Sequence, residues 1–365
     1  MRRSIAIIGA GIGAEHLAAC LRLPERYAVH SLCDLDAERG AAVAAKHPGV
    51  TATTDFDAIL ADRSVDIVDI CLPPHLHFDA CIGALDAGKA VICEKPLTPS
   101  LAETDALIAK VRETGGFLSP VFQYRYGIGM AQLRAVQDAG LAGRPLVATL
   151  ETHWNRGAGY YEIPWRGTWA GERGGAVLGH AIHIHDLLTS VLGPVAEISA
   201  MLATRVNEIE TEDCAALSLR MESGALVTSS ITLGAADDSS RMRLCFEGVT
   251  VESDHAPYSL AAKPWTFTAR APRLQSEIDE VLAAIGDTPT GYDGMFAAIA
   301  DALDGAPGRE VTIQDGRRSV ELVTAIYASA RAGSPVSLPL GSDHPYHSGW
   351  PSDPLEGGGK PKWQA

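Results

Sequence analysis

Aromatic residues are scarce in this chain, at 6%, and none of its seven cysteines forms a Cys-x-x-Cys pair. That absence argues against zinc-ribbon and thioredoxin-type motifs and against a disulfide framework. Cys33, Cys71 and Cys93 fall inside apolar runs instead, as small buried hydrophobes do in a reducing compartment. Basic residues are also few: 30 Lys and Arg stand against 45 Asp and Glu, a net charge of −15. Such a balance disfavours nucleic acid and anionic membrane surfaces as partners. No apolar run is long enough to span a bilayer. Met1-Arg2-Arg3-Ser4 leads into a short strand and a glycine loop rather than a signal sequence, so a cytoplasmic location is expected.

What is present fits a packed protein of more than one core. The chain has 365 residues, 46% apolar and 21% charged, so two domains are expected. In the first third, β-branched runs at residues 5–8, 28–33, 65–71, 90–93 and 117–122 alternate with helical stretches at 37–46, 77–87 and 101–114. Ser100 and Glu103 open the last of these at capping-box spacing. Alternation of this kind predicts a doubly wound parallel sheet over residues 1–123. After a helix at 129–139, strands at 146–154, 196–204, 215–221, 225–233, 242–247 and 265–269 follow without regular helices between them. They predict a second, α+β domain over 124–340 with a large, mostly antiparallel sheet. Helices at 292–303 and 316–332 would cover that sheet or pack on the first domain, and 341–365 reads as an extended tail with a mobile end, Gly357-Gly358-Gly359-Lys360.

The first strand runs into Gly9-Ala10-Gly11-Ile12-Gly13-Ala14. In a G-x-G-x-x-A loop the first glycine makes the tight turn, the second lets backbone approach a pyrophosphate, and the small last residue lets helix pack on strand. Gly9, Gly11, Ile12 and Gly13 are the expected dinucleotide-binding positions, with phosphate at the helix N-terminus. The next strand ends in Asp34, whose carboxylate can accept ribose hydroxyls and would repel a 2′-phosphate, favouring NAD over NADP. Arg39, one turn on, would soften that preference. The alternatives are a plain strand-helix turn and an Asp34 that only caps the following helix.

Two further strand ends carry Leu72-Pro73-Pro74-His75-Leu76-His77 and Cys93-Glu94-Lys95-Pro96, on the sheet edge where open α/β folds bind ligands. With Gln123-Tyr124-Arg125-Tyr126, Gly174-Gly175 and His183-Ile184-His185-Asp186, the chain resembles the Gfo/Idh/MocA oxidoreductases from about Ser4 to Pro339. The resemblance implies a Rossmann domain, an open-faced sheet often used for oligomerisation, hence a homo-dimer or homo-tetramer, and substrate between the two. It places Leu72, Pro73, His77, Glu94, Lys95 and Gln123 with the cofactor and Arg125 with substrate. By the same resemblance Lys95 contacts the substrate hydroxyl and nicotinamide ribose, and His183 is the acid/base. An imidazole titrating near neutrality can take a hydroxyl proton as hydride leaves the same carbon, and an ammonium can stabilise the developing alkoxide. Two positions depart from the family: Gln123 replaces the usual Asn, and Gly179, followed by His180, stands where members carry Asp or Asn. His180 either substitutes in catalysis or shapes the pocket.

The stretch 154–174 is rich in aromatic residues for this chain. Tyr160, Trp165 and Arg166 are the expected substrate-pocket residues beside His180 and His183, able to stack on sugar faces and bind hydroxyl or carboxylate groups; the alternative is that the rings anchor a long loop. His180 and His183 lie at i, i+3, but no acidic partner at matching spacing supports a metal site. The expected function is NAD(P)-dependent hydride transfer at a hydroxyl-bearing carbon of a sugar, cyclic polyol or sugar derivative. A catalytically silent NAD-binding sensor and an NAD-dependent glycoside-cleaving enzyme are the competing readings.

Overall fold

The computed structural model describes residues 1–351, so the glycine-rich end at 357–360 lies outside the described residues. The chain forms two compact units, one of Met1–Phe122 with Tyr292–Val320, the other of Gln123–Gly291 and the residues from Glu321 onward. Residues 292–320, assigned from the sequence to the second domain, therefore belong to the first unit. The reason is visible in the packing: the Phe296 ring meets Tyr27 at 5.5 Å, and the Tyr27 hydroxyl donates to the Phe296 carbonyl at 2.6 Å. An apolar helix face shows that a core is covered, not which one.

In the first unit β1 (Arg3–Ile8), α1 (Gly13–Arg22), β2 (Tyr27–Cys33), α2 (Ala37–Ala44), β3 (Thr51–Thr53), α3 (Phe56–Ala61), β4 (Ile67–Ile70), α4 (His77–Asp86), β5 (Ala90–Cys93), α5 (Leu101–Thr114) and β6 (Leu118–Pro120) follow in order. The strands form one sheet, β3-β2-β1-β4-β5-β6, parallel throughout. Its strands read as continuous apolar runs because both faces are covered. Ala6, Ile8, Val68, Ile70 and Val91 pack with Ala80, Ala84, Leu85 and Leu107 on one side, and Ile7, Leu32 and Cys71 with Leu17 on the other. Each buried Ile, Leu or Val contributes about 1.5–3 kcal/mol. Ser100 caps α5 by accepting the Glu103 N–H at 3.2 Å. Strand order reverses between β1 and β4, so the loops leaving these strands diverge and open a crevice at their C-terminal ends.

The second unit begins with α6 (Ile128–Asp138), β7 (Pro145–Asn155), α7 (Trp169–Glu172) and α8 (Ile182–Leu192). It continues through β8 (Val195–Ala203), β9 (Cys214–Met221), β10 (Leu226–Thr232), β11 (Gly234–Phe246), β12 (Val249–Glu252), β13 (Thr266–Ala269) and α9 (Pro272–Ala283). The chain then returns to the first unit with α10 (Gly291–Leu303) and the first part of α11 (Ile313–Ala332), and from Glu321 the rest of α11 and β14 (Val336–Ser337) belong to the second. Eight strands are ordered β13-β12-β11-β7-β10-β9-β8-β14, antiparallel except for β7 and β10. Along β9, Ala215, Leu217, Leu219 and Met221 are buried while Ala216, Ser218 and Arg220 are exposed. One face therefore carries a core and the other is open, as period-two alternation requires. β11 is longer than its apolar run at 242–247. Its polar half is held by tertiary contacts, with Asp238 accepting the Asn155 N–H at 2.6 Å and pairing with Arg156 at 2.9 Å.

Candidate active site

The first unit presents its loops at the C-terminal ends of the parallel strands. β1 delivers Gly9 at φ 104°, where an added Cβ would stand 2.4 Å from the Cys71 carbonyl oxygen. Only glycine fits so close to the end of β4. At Gly11 a Cβ would meet nothing within 4 Å, leaving open space before the N-terminus of α1. A pyrophosphate suits that position, where helix N–H groups lack intrahelical acceptors. Ile12 and Gly13 complete this loop, with Ile12 exposed and Gly13 buried against Ile7 and Cys71.

Asp34, at the end of β2, is only 5% exposed. It accepts the Ala10 N–H at 2.7 Å and the Asp36 N–H at 2.8 Å, and the Arg39 guanidinium grips it from 3.1 and 2.6 Å. Burial pushes its pKa up, but the Arg39 fork and the two backbone donors prevail and hold it below the usual carboxylate range. The cap of α2 is Asp36, not Asp34, so Asp34 has no capping duty and faces the glycine loop. The loop, the helix N-terminus and this carboxylate fit a dinucleotide.

The ends of β4 and β5 are tied together by His77. Its ring is fully buried, Nδ1 lying 2.8 Å from the Pro96 carbonyl and Nε2 2.7 Å from the Leu72 carbonyl. Burial lowers its pKa. The ring bridges the Leu72-Pro73 loop and the Glu94-Lys95-Pro96 turn. Glu94 is likewise turned inward, one oxygen 3.2 Å from His16 Nε2 and the other accepting the Lys95 N–H at 2.9 Å. Its carboxylate supports the Lys95 backbone from within the fold. Lys95 itself is half-buried at the strand end.

In the second unit Gln123, Tyr124 and Arg125 form a buried turn of 3₁₀-helix. Tyr124 stacks on His183 with ring centroids 4.7 Å apart and 15° between planes. The Tyr124 hydroxyl donates to the Pro257 carbonyl, so this ring is a fixed plate behind the imidazole. Arg125, expected at the substrate, is held by Asp186 through two hydrogen bonds of 2.7 and 2.6 Å, both residues buried. A bidentate pair of this kind fixes the turn to α8 through the Nε–Nη2 edge of the guanidinium.

His180 lies on a π-helical turn, Val177–Ala181, and His183 on α8 directly after it. Widened turns of this sort are frequent at functional sites. The His180 ring meets Trp154 edge-on at 5.2 Å and lies 5.7 Å from Tyr160. Arg166 stacks over Tyr160 at 4.0 Å and Trp165 is 37% exposed, so Tyr160, Trp165 and Arg166 form one cluster beside His180. A Cβ at Gly179 would meet nothing within 4 Å, so crowding does not impose glycine there. His185 is buried against Ser229 at 3.0 Å, and burial lowers its pKa to about 4, leaving it a neutral core histidine.

Sequence reasoning missed the groups beneath these elements. Glu212 accepts the Gly175 N–H at 3.1 Å, the Val177 N–H at 3.0 Å and the Tyr327 hydroxyl at 2.9 Å, and so anchors the start of the His180–His183 segment. A Cβ at Gly175 would lie 1.9 Å from the Glu212 carbonyl oxygen, which explains the glycine pair before the helix. Trp350, from the tail, stacks on Tyr327 at 4.9 Å and donates to the Arg173 carbonyl at 2.6 Å. In the first unit His16, Asp69 and Cys71 converge, their polar atoms within 4.8 Å of one another and all buried. The available signal was a polar residue inside an apolar pattern, as at Asp69 in the run Ile67-Val68-Asp69-Ile70.

Residues 3–122 match the model of the oxidoreductase family with an NAD-binding Rossmann fold, and residues 130–252 match the GFO/IDH/MocA C-terminal domain. The chain belongs to the GFO/IDH/MocA family of NAD-binding oxidoreductases. It is similar to the Bacillus subtilis oxidoreductase YrbE, with 28% identity over 341 residues covering 91% of this chain and 95% of that protein. It is 26% identical to the 1,5-anhydro-D-fructose reductase of Ensifer adhaerens over 327 residues, 86% of this chain and 92% of that protein. The crystal structure of the WlbA dehydrogenase from Bordetella pertussis, in complex with NADH and UDP-GlcNAcA, superposes with a TM-score of 0.80 at 26% identity, covering 93% of this chain and 100% of that one.

Proposed function

We propose that this oxidoreductase is a cytoplasmic, homo-oligomeric dehydrogenase of a sugar, cyclic polyol or sugar derivative. The observation that carries the reading is the pairing, at one sheet edge, of an open glycine loop and the buried Asp34 carboxylate with the Glu94-Lys95-Pro96 turn. Bound NAD supplies the hydride acceptor. Gly9, Gly11, Ile12 and Gly13 hold its pyrophosphate, Asp34 its adenosine ribose, and Leu72, Pro73 and Gln123 help seat it. The Lys95 ammonium stabilises charge on the substrate oxygen, and a His183 imidazole nitrogen takes the hydroxyl proton as the C–H bond breaks. Tyr124, stacked behind His183, keeps that ring from turning. His180 shapes the pocket with Tyr160, Trp165 and Arg166, whose rings and guanidinium suit sugar faces and hydroxyls. A relative named for the reduction of 1,5-anhydro-D-fructose and a structural neighbour in complex with UDP-GlcNAcA support the substrate class.

The test is a panel of sugars, polyols and sugar acids followed at the NADH absorbance band, with Lys95→Ala as control. Substrate-dependent NADH formation that collapses in the control is the expected result. Dinucleotide binding without turnover on any substrate would favour a sensor, and sugar release at constant NADH a glycoside-cleaving enzyme.

A further inference from the structure

The loop bearing Lys95 rests on a buried group with no place in the reaction just described. His16 projects from the covered face of α1 with no exposed surface. Its Nδ1 lies 2.9 Å from an Asp69 oxygen and 3.3 Å from Cys71 Sγ, and its Nε2 3.2 Å from a Glu94 oxygen. A neutral imidazole has one N–H and one lone pair, so it would satisfy one carboxylate and turn its lone pair on the other. Two ionised carboxylates at hydrogen-bond distance from the two nitrogens are both satisfied only when both nitrogens are protonated.

We propose that His16 is a positioning residue: a permanently charged imidazolium that binds Asp69 and Glu94 and so holds the Glu94 carboxylate under the Lys95 N–H. Every group facing the ring agrees with this charge. Asp69 and Cys71 come from β4 and its end, Glu94 from the end of β5, Cys20 from the next turn of α1, and the Tyr292 ring from α10 at 4.6 Å. Burial pushes the Cys71 thiol up to about 12 and raises Cys20 and Tyr292 as well, so these three stay neutral and the two carboxylates face the one cation. Desolvation opposes the charge, but Asp69 and the groups beside it outweigh that cost and raise the His16 pKa. Glu94 in turn is held below the ordinary range against its own burial, by His16 and Lys95. A fixed Glu94 sets where the backbone of residue 95 stands, and a displacement of about 1 Å at a reacting group can cost a hundredfold in rate. The kinetic consequence rests on the role proposed for Lys95; the charge state does not.

The experiment reads the wild-type protein first. In protein labelled with ¹⁵N-histidine, one imidazole is expected to keep both nitrogens protonated at neutral pH, where an ordinary imidazole is mostly neutral, its signals vanishing in His16→Asn. A His16 ring that is neutral at pH 7, or stoichiometric metal taking the place of its proton, overturns the proposal. The second arm is Glu94→Gln, which keeps the shape and removes a charge. It should let His16 titrate at lower pH and lower kcat about tenfold or more while dinucleotide Kd stays within about threefold. Unchanged kcat per active site, with only a lower Tm, would reduce His16 to a structural role and overturn the proposal. Lys95→Met separates the two readings: full turnover there refutes the function proposed for Lys95 and the kinetic arm with it, whereas a neutral His16 refutes only this inference.

Discussion

Replacing Glu212 with glutamine should flatten the pH dependence of stability contributed by the segment that carries His180 and His183. The Glu212 carboxyl is fully buried, and desolvation lifts its pKa from the ordinary 4.5 to about 7, against the donors at Val177, Gly175 and Tyr327. Because the folded state holds the proton more tightly than the unfolded chain, this contribution is complete below pH ~4.5. It is lost as pH rises through about 7. The gap is worth on the order of 3 kcal/mol, or roughly 6–12 °C in Tm for a domain of 150–250 residues. Glutamine keeps an acceptor for the Val177 and Gly175 N–H groups and carries no charge at any pH. Glu212→Gln should therefore match the wild type near pH 5 and exceed it by up to about 3 kcal/mol near pH 8. Urea unfolding at half-unit steps from pH 5 to 8 measures the difference, and subtracting one curve from the other cancels every other titrating group. A difference that stays within about 0.5 kcal/mol across the range, or that grows as pH falls, would refute the desolvated-acid account.

His183→Asn should reduce kcat by about 10²–10⁴-fold and leave dinucleotide Kd within a few-fold, measured by steady-state rates and NADH fluorescence titration; a near-normal rate would remove the acid/base assignment. Asp34→Ser should raise the NADP-to-NAD ratio of kcat/KM by about ten- to a hundredfold, because it frees the Arg39 fork for a 2′-phosphate. An unchanged ratio would mean that Arg39 does not reach the adenosine ribose. Gly9→Ala should cost at least about 2 kcal/mol and abolish dinucleotide binding, since its Cβ combines φ 104° with a 2.4 Å approach to the Cys71 carbonyl. Calorimetry with and without NAD reads both effects.

Local pattern and motif chemistry determined much of this protein. The all-parallel sheet followed from apolar runs alternating with helices, the antiparallel sheet from consecutive strands such as β8 and β9, and the ligand edge from Gly9, Asp34 and Lys95, each standing just after a strand. These are short-range signals, carried by spacing within ten or so residues. Tertiary structure alone decided which core residues 292–320 cover, that Arg125 pairs with Asp186, and that His77 and Glu94 bridge the loops at the ends of β4 and β5. It also decided that His16 meets Asp69 and Glu94, and that Glu212 holds the Gly175 N–H, 37 positions earlier, just before a helix. The physical reason is common to all of these. A buried polar side chain must find its partner wherever the fold brings one within hydrogen-bond reach, and no periodicity along the chain encodes a partner so distant in sequence.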